Sequence, residues 1–115
     1  MVLVTVNLCD QEISKITIRG HADSVNDDAQ YDMVCAEVSA VSVGVLNSID
    51  EICGEDCCDI VMESGNVEIS VKKSSSDLQI ILRTLKIQLD TIAYSNKAFI
   101  KVKVQKTKKV RKAEV

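Results

Sequence analysis

Aromatic residues are scarce: this chain of 115 residues has no tryptophan, two tyrosines and one phenylalanine. Recognition of single-stranded nucleic acid by base stacking has little to work with, so no direct nucleic-acid contact is expected. Any core must be built from Val, Ile and Leu. Histidine occurs once, at position 21. A secretory signal is lacking: residues 1–8 alternate apolar and polar and run into Cys9-Asp10-Gln11-Glu12 with no basic n-region or cleavage site. No apolar run approaches bilayer length, so no membrane partner is expected. The five cysteines are an odd number. Without an export signal they read as reduced thiols of a cytoplasmic protein rather than a disulfide framework.

Neither sign of charge dominates, the net being −3. The distribution says more. Seven of the fourteen basic residues lie between Lys101 and Lys112, while Asp23, Asp27, Asp28 and Asp32 crowd the segment after His21. A basic tail reads as solvated, and the acidic segment would attract a cationic peptide. With 46% hydrophobic residues, the length suits one globular domain over 1–105, followed by a charged tail at 106–115.

Val2, Val4, Val6 and Leu8 alternate with polar residues, the period of a half-buried strand. After a polar turn at 9–12, residues 13–19 alternate again, although the turn lacks the Asn-Gly of a tight hairpin. Residues 22–31 dissolve into Asp, Ser, Asn and Gln, a polar loop with Gly20 supplying freedom at its base. A helix over 33–52 follows, with Val34, Val38, Val41, Val45, Ile49 and Ile52 on one face and Asp32 as N-cap. Ala36, Ala40 and Gly44 form a small-residue stripe open to another helix. Residues 57–63 and 67–72 make the clearest hairpin. Ser74-Ser75-Ser76-Asp77 caps a helix carrying Leu78, Ile81, Leu82, Leu85, Leu89 and Ile92, ending near Ser95. A last strand spans 99–105, with Ile100, Val102 and Val104 inward. The order β-β-α-β-β-α-β predicts an α+β two-layer sandwich, a mainly antiparallel five-stranded sheet with two helices on one face.

Chemistry centres on His21 and Cys35. A thiol is a good nucleophile as thiolate, which a helix N-terminus and a neighbouring imidazole both favour. Cys35 would be the third residue of its helix, near the positive end of the dipole. Spacing alone leaves two readings open, a catalytic pair or a polar loop histidine and a small core cysteine. Asp32 would orient His21 or simply cap the helix. Ser39, one turn beyond Cys35, would bond substrate, the thiol or the Cys35 carbonyl, and the helical context favours the carbonyl. Cys53, Cys57 and Cys58 compete as a constellation, but a closed zinc site needs a fourth ligand and the histidine is distant. They read as structural thiols, with no metal and no cofactor.

Gly20-His21-Ala22, a polar loop, Asp32-Met33-Val34-Cys35-Ala36 and then Val38-Ser39-Ala40 resemble the ribosomal-processing cysteine protease family, Prp. The likeness spans residues 1 to about 105. It implies a bacterial endopeptidase that trims the N-terminal extension of a large-subunit ribosomal protein, Cys35 being the nucleophile and His21 the general base. Asp32 and Ser39 match family positions near the site. Gln30 stands where the family has glycine, and Met33 replaces an aliphatic residue; the first change would stiffen the loop that admits substrate. The competing expectation is a non-catalytic ribosome- or RNA-associated module using the basic tail. The free sheet face, where Val61 and Phe99 sit among Thr5, Asn7, Thr17, Lys101 and Lys103, is too polar for a large interface, so a weak or modest homodimer is expected. The loop 22–31 is expected to close over bound peptide.

Overall fold

The computed structural model of the chain describes residues 1–20 and 29–107. Strand β1 (Val2–Cys9) turns into β2 (Glu12–Arg19) through Asp10 and Gln11, both at positive φ, 51° and 71°. That is the geometry of a two-residue type I′ turn, made here without glycine. The hairpin is tight although its sequence lacks the usual signature. Between Asn7 and Leu8 the register slips, so that Leu8 pairs with Ile13 while Asn7 pairs with Lys15. The extra residue, Ser14, forms a bulge and donates its hydroxyl to Asn7 O at 3.2 Å. The slip reverses the alternation, which is why Ile13 and Ile16 are both buried despite their odd spacing.

Strands β3 (Cys58–Glu63) and β4 (Asn66–Val71) form the second hairpin, and β5 (Ile100–Thr107) closes the sheet in the order β3-β4-β2-β1-β5. Every pairing is antiparallel except β1 with β5. One face carries Val2, Val4, Val6, Ile16, Ile18, Ile69 and Ile100 into a single core with α1 (Ala29–Ser48) and α2 (Ser76–Ser95). The other face is polar and ion-paired, with Glu68 3.4 Å from Lys15 and 3.8 Å from Arg19. The predicted two-layer α+β sandwich and its element order are those observed.

Four local expectations need correction. The first helix begins at Ala29 rather than 33, because its first turn is anchored elsewhere. Tyr31 lies 5.9 Å from Phe99 between ring centroids, and Gln30 Nε2 donates to Asn96 Oδ1 at 3.2 Å. Polar composition hid a turn that tertiary contacts hold. The helix continues past Ser48 as a π-helix, Ile49–Cys53, ended by Gly54, whose N–H donates to both Ile49 O and Asp50 O at 3.1 Å. Among the described residues the stripe Ala36-Ala40-Gly44 meets no second helix: it is exposed, and a methyl placed on Gly44 would touch nothing within 4 Å. Val104 is exposed on the edge strand β5, beyond the cover of the helices. The stretch Ala29–Cys53 is also long and apolar enough, by length and composition, to cross a membrane. In this fold it is a core helix, with Val34, Cys35, Val38, Val45 and Ile49 buried.

The second helix matches its expectation closely. Ser75 is the N-cap, its Oγ accepting from Leu78 N at 3.1 Å, and the helix ends at Ser95. Gln79 repairs the edge of the bulge: its Oε1 accepts from Ile13 N at 2.8 Å and its Nε2 donates to Ile13 O at 2.9 Å. That clamp joins α2 to β2 where the strand ladder is interrupted.

Candidate active site

A cavity of about 690 Å³ opens between the N-terminal half of α1, the ends of β1 and β2, and the β3–β4 turn. Asp32, Cys35 and Ser39 all line it. These positions fall at spacings of three and four, so the helix presents them on one side. Cys35 is 8% exposed, a free thiol set in the wall of the cavity. Gly20 also lines the cavity, at the exit of β2.

Gly20 has φ +117°, and a Cβ there would lie 2.6 Å from Met1 O and 3.0 Å from Val2 Cα. Only glycine fits such a backbone pressed against the chain's first residues. Its N–H donates to Gly65 O at 3.1 Å, which pins the end of β2 to the β3–β4 turn. His21 follows directly. Its side chain, and the loop residues 22–28 assigned to a closing segment, lie outside the described residues; Ala29, Gln30 and Tyr31 belong to α1.

The early start of α1 changes the electrostatics of the thiol. Cys35 is the seventh helical residue, not the third, and Asp32 sits in the first turn rather than at the N-cap. The unbonded N–H groups of a helix are its first four, and its end charge fades within the first turn. Cys35 therefore gets little help from the dipole, and the free backbone donors of the helix start lie about 4.5–9 Å away along the axis.

Ser39 makes no bond to the Cys35 carbonyl. Among the described residues, the helical serines that bond back one turn are Ser42, to Val38 O at 2.6 Å, and Ser48, to Gly44 O at 2.9 Å. Ser39 instead lines the cavity wall, with no side-chain hydrogen bond among the described residues. Sequence reasoning missed the opposite wall, residues 62–67, which brings Met62, Glu63, Ser64 and Asn66 to the cavity. Asn66 donates through Nδ2 to Glu68 at 3.3 Å, while its Oδ1 is buried without a partner. The turn signal Ser64-Gly65-Asn66 was visible; its proximity to Cys35 depends on sheet order, which periodicity does not reveal.

The other thiols are a contrasting environment. Cys57 Sγ donates to Gly54 O at 3.2 Å, and burial with the neighbouring Cys57 pushes the Cys58 thiol up to about 12. Burial and Cys57 likewise raise Cys53. Cys53 and Cys58 are thus held protonated, unlike metal-binding thiolates. Among the described residues, no three His, Cys, Asp or Glu side chains converge in a metal-ligand arrangement.

A family profile for cysteine protease Prp matches residues 1–101. The chain belongs to the Prp family. Prp membership makes it a cysteine protease, the expectation preferred above over an RNA-associated module. Among solved structures, the essential ribosomal processing protease Prp from S. aureus, carrying a covalently linked product peptide, is 29% identical with a TM-score of 0.79. The alignment covers 91% of this chain and all of that one. The same S. aureus Prp with a substrate peptide gives 27% identity and a TM-score of 0.80, with the same coverage. SMU.848 from Streptococcus mutans, 20% identical with a TM-score of 0.78 over 93% of this chain and 96% of that one, shares the fold. No curated protein sequence matches the chain.

Proposed function

We propose that this Prp removes the N-terminal extension of a large-subunit ribosomal protein in the cytoplasm, with Cys35 as nucleophile and His21 as general base. The reading is carried by one observation: Cys35 lines a cavity that also takes in Asp32, Ser39 and Gly20, the residue next to His21. Cys35 Sγ attacks the scissile carbonyl carbon, and His21 takes the thiol proton and returns it to the departing amine nitrogen. Water, deprotonated by His21, then attacks the thioester and releases the carboxylate product with the thiol restored.

Because Cys35 lies two turns into α1, activation of the thiol falls to His21 rather than to the helix end. The tetrahedral oxyanion needs donors inside the cavity; of the two serines on its helix wall, Ser42 donates its hydroxyl to Val38 O, which leaves Ser39 Oγ as the candidate. Asp32 and Glu63 give the cavity two carboxylates, which favours a substrate rich in Lys and Arg.

The test is incubation with a ribosomal protein bearing its extension, read by mass spectrometry. Cys35→Ala and His21→Ala are each expected to lower cleavage by about 10³-fold or more while the melting temperature holds. Removal of residues 106–115 is expected to leave peptide cleavage intact. An unprocessed substrate with wild-type protein, or processing by Cys35→Ala at the wild-type rate, would overturn the assignment.

A further inference from the structure

The two edges of the sheet are built differently. Strand β5 carries Lys101, Lys103, Gln105 and Lys106, all exposed, the usual guard against an added strand. Strand β3, at the other edge, has no lysine, arginine or proline, and Ile60, Val61 and Met62 are 41%, 38% and 54% exposed in succession. Register decides which of its backbone groups are already bonded. Glu63 pairs with Asn66 across the two-residue turn Ser64-Gly65, Val61 with Glu68 and Asp59 with Ser70. The pair that closes a two-residue turn exchanges both of its hydrogen bonds, and bonding then alternates along the strand. The same parity holds at the far end, where Lys72 N donates to Cys57 O at 2.8 Å. Asp59, Val61 and Glu63 therefore bond to β4. The N–H and C=O groups of Cys58, Ile60 and Met62 point to the outer edge, where no strand pairs among the described residues.

We propose that β3 takes an extended stretch of the peptide substrate as a sixth strand, beside the bond to be cut, a step that rests on the reading of Cys35 as the nucleophile. The turn end of β3 belongs to the cavity: Met62 and Glu63 line it together with Cys35. On the helix wall of the same cavity α1 presents Ala36 and Ser39, whose small side chains keep space beside β3 for a main chain about 4.8 Å away. Ile60 and Met62 pair with Ile69 and Val67 and so share the core-facing side of the sheet. Both are nevertheless exposed, because the helices stop short of this edge. The result is an apolar floor under alternate side chains of the added strand. A peptide laid there gains main-chain bonds to Ile60 and Met62 whatever its sequence, while the floor selects apolar residues at every second position.

Other surfaces serve a peptide strand less well. The β5 edge is lined with lysines, and among the described residues it contributes nothing to the cavity. The free sheet face has its main-chain groups engaged in the ladders, and Glu68 there is held by Lys15 and Arg19. Only at β3 do unbonded main-chain groups, an apolar floor and the thiol cavity meet among the described residues.

The test has an enzyme side and a substrate side. A peptide spanning the cleavage point of an extended ribosomal protein is bound at saturation to the Cys35→Ala protein, and amide exchange is followed by NMR. Ile60 and Met62 are expected to exchange at least about tenfold more slowly, while Val61, already bonded to Glu68, keeps its rate. On the substrate side, the peptide is N-methylated one position at a time and offered to the wild-type protein. KM is expected to rise about tenfold at alternate positions and by less than about twofold between them, as the loss of every second strand bond requires. Away from the scissile bond kcat is expected to hold. A peptide that the wild-type protein leaves uncut defeats the assigned activity and the strand pairing together. A peptide that is cut, but that leaves exchange at Ile60 and Met62 unchanged or shows no alternation in KM, overturns the pairing alone.

Discussion

Replacing Gly20 by alanine tests the link between fold and site at one atom. The new Cβ would sit 2.6 Å from Met1 O and 3.0 Å from Val2 Cα, both backbone atoms, one of them in the interior strand β1. Neither can swing aside as a side-chain end would. A φ of +117° costs an L-residue about 1–3 kcal/mol. Relieving the overlap costs a further ~1–3 kcal/mol, as overpacking does. The stiffer unfolded chain offsets about 0.5–1 kcal/mol of this. The net loss is about 2–4 kcal/mol, a large share of the usual ~5–15 kcal/mol for a domain. Thermal unfolding should show the midpoint falling by about 10 °C or more. The Gly20 N–H to Gly65 O bond at 3.1 Å is expected to break or lengthen with it, moving residue 21 relative to Cys35. Cleavage of an extended ribosomal protein, measured well below the new midpoint, should therefore fall at least about tenfold through kcat, as loss of alignment does. A Gly20→Ala protein that melts within about 1 °C of wild type and cleaves at the wild-type rate would refute the reasoning.

Gly44→Ala should do the opposite: the site is open, its φ is ordinary, and helix propensity predicts a gain of about 0.8–1 kcal/mol in thermal unfolding. Gln79→Ala removes both bonds to the Ile13 peptide and should cost about 1–3 kcal/mol in denaturant titration, with faster amide exchange at Ile13. The folded protein holds the Cys58 thiol near 12 against an ordinary 9.0, so its contribution to stability is fully present below about pH 9 and is lost as pH rises toward 12. At pH 8 its thiolate is about one part in 10⁴, and iodoacetamide should leave Cys58 unmodified while the fold persists.

Elements with one dominant period were readable from the chain. The apolar stripe of α2 and its Ser75 cap are where spacing put them, and so is the β3–β4 hairpin. Reading failed where a distant partner decides local structure. The first turn of α1 depends on Phe99 and Asn96, nearly seventy residues away, so its Asp, Ala and Gln looked like loop. The type I′ turn at Asp10-Gln11 is held by strand twist and not by glycine. Half of the candidate site was legible as well. Asp32, Cys35 and Ser39 share a helix, where spacing alone puts them together. The wall at Glu63 and Asn66 was hidden, because placing β4 beside β2 needs the sheet order.

The chain's five cysteines make the central claim open to a direct measurement: which thiol a substrate-like electrophile captures. The protein would be treated with one equivalent of a peptidyl chloromethyl ketone built on the sequence before the cleavage point, digested and mapped by mass spectrometry. A single adduct on Cys35 is expected, formed in step with loss of proteolysis and abolished in His21→Ala. An adduct on Cys9, Cys53, Cys57 or Cys58 with Cys35 unmodified, or full proteolysis after Cys35 is completely alkylated, would contradict it.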